Sequence, residues 1–431
     1  MMENFFICGF VFLIYAIRKF FKNKILYPSI VFSAMWGIAC VYTGAILNGY
    51  GENLFLKEYY EYQYMDSYIV LFTIASLLGF MLAHLFAGRY SKKVNLAMSH
   101  TFMDNILEKY KWVMWLNFLG GLLRIVAVIA TFGFDSVMDY RVAANTLMMA
   151  PSFTFVGLVF RVTAYTQMLA NVYLALYGLK TGFGRLDMKK MVGMFILFAP
   201  TQMATGGRLF VLYFILYFFG SFILARGIKV REDGGRLFER SERRIIAYAA
   251  VLFFFVVAVI PMLRSGGVRE DNESALEKFA YITEGALSTE QLMQVIPPES
   301  VQPEYGMASF GNISDQHKEY LSFLFGTKNA AGVKAFLVPL YLDFGYYGSV
   351  IALFFLAFLI EYFAIRCLNW LTVIRLCVFV MLLKMVYESV ISPIIVTNFP
   401  QFELIIVFAI FYRSLFGSLE ADDVEYEESD E

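Results

Sequence analysis

Four arginines and two possible proton acceptors carry what chemistry this chain can be expected to do. Thr205-Gly206-Gly207-Arg208 is a two-glycine turn between apolar runs at 191–204 and 209–224. Paired glycines let the backbone reverse and leave N–H groups uncovered, so an anion could dock there beside the guanidinium. The plainer reading is a tight turn whose arginine snorkels to the membrane surface. Arg264 and Arg269 flank a second pair, Gly266-Gly267, and Arg141 follows Asp139-Tyr140. A guanidinium holds its proton and offers a planar fork of donors, which suits a diphosphate. Pairing of these arginines with Glu270, Asp271 or Glu273 is the competing explanation. His317, in Ser314-Asp315-Gln316-His317, could accept a hydroxyl proton near neutral pH, or sit in its loop without a role. Asp343 stands at the expected water-facing start of an apolar run, close to Gly345 and Gly348; it could instead cap the helix it opens.

The elements that must position these residues are membrane spans. The chain has 431 residues, 59% of them apolar and 18% aromatic, with a mean hydropathy of +0.61. That balance excludes an ordinary soluble domain and predicts an all-α, polytopic helical membrane protein. A span needs about 20 mostly apolar residues, and about eleven such runs follow one another. They are expected near 4–20, 28–47, 67–88, 112–132, 153–178, 190–205, 208–225, 245–263, 335–361, 371–392 and 402–418. Glu3 precedes the first run, and Arg18, Lys19, Lys22 and Lys24 follow it, so the run stays as a span rather than a cleaved signal. Alternating from there gathers the arginine and lysine of connectors 88–111 and 225–244 on one side. The positive-inside rule then places the N-terminus outside, the C-terminus in the cytoplasm and Arg208 outside. These basic connectors need no chemistry beyond orientation and attraction to anionic lipid headgroups.

One transmembrane domain is expected over 1–419, with a disordered acidic cytoplasmic tail at 420–431. The connector 264–334 breaks the pattern of short loops: about seventy residues outside the membrane is the length of a structured, functional loop. Helical spacing is expected within it at 275–284, and an apolar stretch returns at 320–325. Cys8, Cys40, Cys367 and Cys377 lie scattered among apolar runs and read as packing residues. Charges inside expected spans are Arg124, Arg161, Lys384, Glu388 and Glu403, which should face the bundle interior; Lys384 and Glu388, one turn apart, could satisfy each other. No Walker-type loop, HExxH or paired Cys/His motif is present, so neither nucleotide hydrolysis nor zinc chemistry is suggested, and the charge balance of −1 points to no nucleic-acid partner.

With Thr205-Gly206-Gly207-Arg208 opening a span, Tyr341-Leu342-Asp343-Phe344-Gly345-Tyr346-Tyr347-Gly348 after a large outer loop, and about eleven spans, the chain resembles the bacterial oligosaccharide repeat unit polymerases, the Wzy-type O-antigen polymerases. Gly326-Thr327-Lys328-Asn329 stands where members often carry an asparagine-rich turn, an imperfect match. The resemblance implies a glycosyltransferase of the bacterial inner membrane that needs no metal, cofactor or nucleotide sugar. Donor and acceptor would be glycans on undecaprenyl diphosphate, with membrane lipids around them and a flippase and chain-length regulator as partners. Arg208 and Arg264 would hold the donor diphosphate, with Arg269 and Arg141 assisting. Asp343 or His317 would orient or deprotonate the acceptor, and Gly206, Gly207, Tyr341 and Gly345 would line the substrate.

Two other readings share these features. An O-antigen ligase would use a similar outer arginine site with a lipid A core as acceptor. A lipid-linked oligosaccharide flippase or transporter would need a wide polar cavity and usually two related halves, and no internal repeat is evident.

Overall fold

Phe5, Cys8, Phe12 and Ala16 recur at helical spacing near the N-terminus and are buried, while Ile7, Ile14, Ile17 and Phe21 on the opposite side are as apolar and exposed. A helix that is apolar all round, with one side uncovered, is built for lipid. The same pattern recurs at 65–87, 111–132 and 337–369. In the computed structural model the residues described are 3–50, 64–87, 95–96, 100–133, 140, 143, 172–181, 197, 220–230, 238, 284–310, 313–325 and 336–390.

Among them, α1 (Glu3–Asn23), α2 (Pro28–Ala45, extended by a π-turn at Ile46–Tyr50), α3 (Met65–Ala87), α4 (His100–Phe132) and, after the long connector, Leu337–Asn369 are long and apolar enough to cross a membrane. These five account for the expected spans at 4–20, 28–47, 67–88, 112–132 and 335–361. The last runs eight residues past its expected end at 361, to Asn369, a difference that matters below. The connector contributes α5 (Glu284–Val295) and α6 (Asp315–Phe325), which makes Leu337–Asn369 α7, and Val373–Glu388 is α8. The remaining described segments, 172–181 and 220–230, are helical. The only strands among the described residues are β1 (Asn95–Leu96) and β2 (Trp370–Leu371), which pair in parallel over two residues.

The chain divides into two compact units. One comprises Met1–Lys93, Asn272–Asn369 and Met381–Pro400. In it α1 packs along α2, and α3 along α7. Gly79 makes the second contact possible, because a Cβ there would come within 2.5 Å of the Phe354 carbonyl oxygen. The middle of this unit is a cluster of rings: Trp36 and Phe72 have centroids 4.6 Å apart, Phe32 and Phe80 5.4 Å, and Phe336 packs on Trp36. Trp36 also donates its indole N–H to Ser389 Oγ at 2.9 Å, so its one polar atom is satisfied in the core. The other unit comprises Val94–Asp271, Trp370–Val380 and Gln401–Glu431. Its described core includes Val128 of α4 with Tyr140 and Ala143.

Arg124 is buried in α4, and Lys384 reaches Glu388 at 3.4 Å in α8, the inward placement and the pairing expected of charges within spans. All four cysteines are buried and free.

Candidate functional site

The described part of the long connector is folded against the ends of α3 and α7, and each attachment answers a backbone demand. A helix start leaves its first N–H groups without partners. Glu290 of α5, fully buried, supplies them for α3: its carboxylate accepts the Tyr64 N–H at 3.2 Å and the Met65 N–H at 2.5 Å. Gln294, one turn on, holds the same carboxylate at 2.9 Å.

At α7 the demand is for donors. Gly345 has φ +68°, a conformation glycine adopts without penalty, and it breaks the helical geometry eight residues after α7 begins. Carbonyls before such a break lose the N–H groups one turn further on. The connector provides replacements: Glu304 N–H donates to the Leu342 carbonyl and Tyr305 N–H to the Asp343 carbonyl, both at 3.0 Å. The Asp343 side chain completes the attachment. Its carboxylate, 0% exposed, accepts the Ala308 N–H at 2.8 Å, the Ser309 N–H at 2.9 Å and the Ser309 hydroxyl at 2.5 Å. Tyr341, also buried, donates its hydroxyl to the Ile296 carbonyl at 2.5 Å.

Asp343 therefore meets three donors of the connector rather than open water, and Tyr341 and Gly345 serve the same attachment. His317, 3% exposed, stands at the start of α6 with its Nδ1 2.5 Å from Glu304 Oε1. That oxygen also accepts the Ser314 N–H at 2.9 Å, while Glu304 Oε2 is buried with no hydrogen-bond partner among the described residues. Glu304 thus ties His317 to the stretch of connector that bonds to Leu342 and Asp343, a triangle joining three stretches of sequence. Arg141, Gly206, Gly207, Arg208, Arg264 and Arg269 lie outside the described residues, as do the 326–329 turn and the 420–431 tail.

A second polar cluster lies toward the other end of the same helices. Glu361 of α7 is fully buried; its Oε1 accepts from Lys19 Nζ at 2.8 Å, Ser29 Oγ at 2.6 Å and His84 Nε2 at 2.6 Å, and its Oε2 accepts the Ser29 N–H at 2.9 Å. Lys19 also reaches Tyr15 Oη at 2.7 Å. Four helices meet at this carboxylate, and every hydrogen bond it needs is present. Sequence reading passed over it because the span was expected to end at Glu361, which put the carboxylate at a water-facing rim. The signal was there in the apolar residues that continue from Tyr362 to Ile365, ahead of Arg366.

No group of three or more His, Cys, Asp or Glu side chains gathers as metal ligands among the described residues. Compared with protein-family models, with curated proteins and with solved structures, the chain matches none.

Proposed function

We propose that this chain is an integral-membrane glycosyltransferase that polymerises undecaprenyl-diphosphate-linked oligosaccharide repeat units on the outer side of a bacterial inner membrane, with its N-terminus outside and its C-terminus in the cytoplasm. The reading is supported by the two motifs, the succession of apolar spans and the positive-inside asymmetry. The observation that carries it is the folding of the long connector onto the Tyr341–Gly348 stretch, which makes a fixed platform where spans meet water. A transferase acting on lipid-linked sugars needs such a platform, because the acceptor hydroxyl must be oriented against the donor carbon.

In the reaction, the acceptor hydroxyl attacks the anomeric carbon of the donor, the bond from that carbon to the lipid diphosphate oxygen breaks, and the diphosphate leaves with the electron pair. Arg208 and Arg264, assisted by Arg269 and Arg141, stabilise the departing charge. His317 takes the hydroxyl proton on Nε2 while Glu304 holds Nδ1, the arrangement of an oriented base. Asp343 positions the connector and does not touch the proton.

The test is a strain lacking the gene, complemented with Arg208→Ala. Expected are caps of a single repeat unit in place of the polysaccharide ladder. A normal ladder from normally expressed variant removes Arg208 from the mechanism, and a bare core with glycan left on its carrier lipid in the deletion strain points to the ligase instead.

A further inference from the structure

Tyr305, Met307 and Phe310 project from the connector, Tyr305 and Phe310 with most of their surface uncovered at 82% and 64% exposure and Met307 with about half. Large aromatic groups left in water are costly, at about 25 cal/mol for each Å² of apolar area. What lies beside them indicates what covers them.

The level of this stretch along α7 is fixed by its hydrogen bonds. Tyr305 N–H donates to the Asp343 carbonyl, and Ala308 and Ser309 to the Asp343 carboxylate, so residues 305–310 sit alongside the start of α7. Beyond the Gly345 break, α7 exposes Tyr347, Ile351, Phe355, Leu359 and Phe363, each four residues from the last, and buries Ser349, Leu353, Ala357 and Ile360 on the opposite side. Such a stripe on a membrane-spanning helix faces lipid. Its far end is marked by exposed Arg366 in the last turn. About 20 residue steps from Arg366 back to Tyr346, at about 1.5 Å each, span about 30 Å, the thickness of the hydrocarbon core. The Gly345 break therefore lies at the headgroup level, and residues 305–310 lie there with it. Tyr347, 73% exposed, is the top of the stripe and Phe344 is exposed just above it, so the uncovered apolar surface continues from the spanning helix onto the connector.

We infer that Tyr305, Met307 and Phe310 form an interfacial foot by which the connector rests in the lipid headgroup layer at the Asp343 end of the bundle. Tyrosine and other aromatic side chains favour this layer because the ring meets acyl chains while the polar edge stays hydrated. The backbone is shaped to present them: Tyr305 at φ +51° and Gly306 at φ +98° make the turn from which they project. The foot would hold the connector beside the membrane plane independently of the reaction proposed above.

The test uses the full chain in phosphatidylethanolamine/phosphatidylglycerol nanodiscs. Tyr305→Cys, Phe310→Cys, Tyr347→Cys, Phe355→Cys and Gln302→Cys are each labelled with an environment-sensitive fluorophore; the four native cysteines are buried, which favours reaction at the introduced thiol, and the unsubstituted chain measures any background. Quenching is read with lipids spin-labelled at the headgroup or deep in the acyl chain. Expected is headgroup-lipid quenching at 305 and 310 several-fold above that at 302 and close to that at 347, with deep-lipid quenching strongest at 355. Quenching at 305 and 310 no greater than at 302 overturns the inference. So does quenching that appears only when a second, spin-labelled copy of the chain replaces the labelled lipid, since the surface would then be a contact between copies.

Discussion

Lys19 Nζ lies 2.8 Å from Glu361 Oε1 although 342 residues separate them in sequence, and Ser29 and His84 close on the same carboxylate. The cluster joins α1, α2, α3 and α7. Burying an ion pair confers little net stability by itself, but removing one partner leaves the other short of its counter-charge in an apolar place, at a cost of up to about 3–5 kcal/mol. Lys19→Met and Glu361→Met are each expected to lower the thermal midpoint of the detergent-solubilised protein. The double variant, which removes both charges, should recover part of the loss. Single and double variants that simply add would show that the pair is not coupled.

Gly345→Ala places a Cβ at φ +68° and within 3.3 Å of Val301 Cγ1. At φ +68° and ψ −170° the backbone lies in a region essentially reserved for glycine, which costs an alanine roughly 1–3 kcal/mol, so α7 is pushed toward continuing as a regular helix. That would take the Leu342 and Asp343 carbonyls away from Glu304 and Tyr305. Faster proteolysis within 297–310, with the spans intact, is the expected outcome. Unchanged cleavage would show that the break is not what seats the connector.

Asp343→Ala deprives two backbone N–H groups and the Ser309 hydroxyl of their shared acceptor. Hydrogen bonds to a charged acceptor contribute about 1.5–3 kcal/mol each, so the loss should exceed that of Ser309→Ala, which removes one of them. Hydrogen exchange at Ala308 and Ser309 measures it directly. Exchange faster by at least an order of magnitude is expected for Asp343→Ala, and a smaller change for Ser309→Ala.

Glu304→Gln keeps the shape of the contact to His317 and removes the negative charge. On the proposed mechanism it weakens His317 as a base, and the polysaccharide made per unit of protein should fall. His317→Ala should abolish most of the activity. Full elongation by His317→Ala would reduce the pair to a fastening of the connector.

The helical class and five of the spans could be read directly, because a run of about 20 apolar residues has few other uses and its composition alone declares it. The special character of the Tyr341–Gly348 stretch was also legible, because glycines and an aspartate interrupt an otherwise apolar run. What Asp343 meets was not: an aspartate beside glycines looks the same in sequence whether water, a substrate or the backbone of Ala308 and Ser309 lies before it, and only the fold brings together positions 34 and 35 residues apart. Glu290 at the start of α3, Glu304 on His317, and Lys19 on Glu361 are of the same kind. Apolar pattern is a property of neighbouring residues and survives in a sequence, whereas the satisfaction of a buried polar group depends on which distant backbone or side chain arrives beside it, and tertiary packing alone decides that.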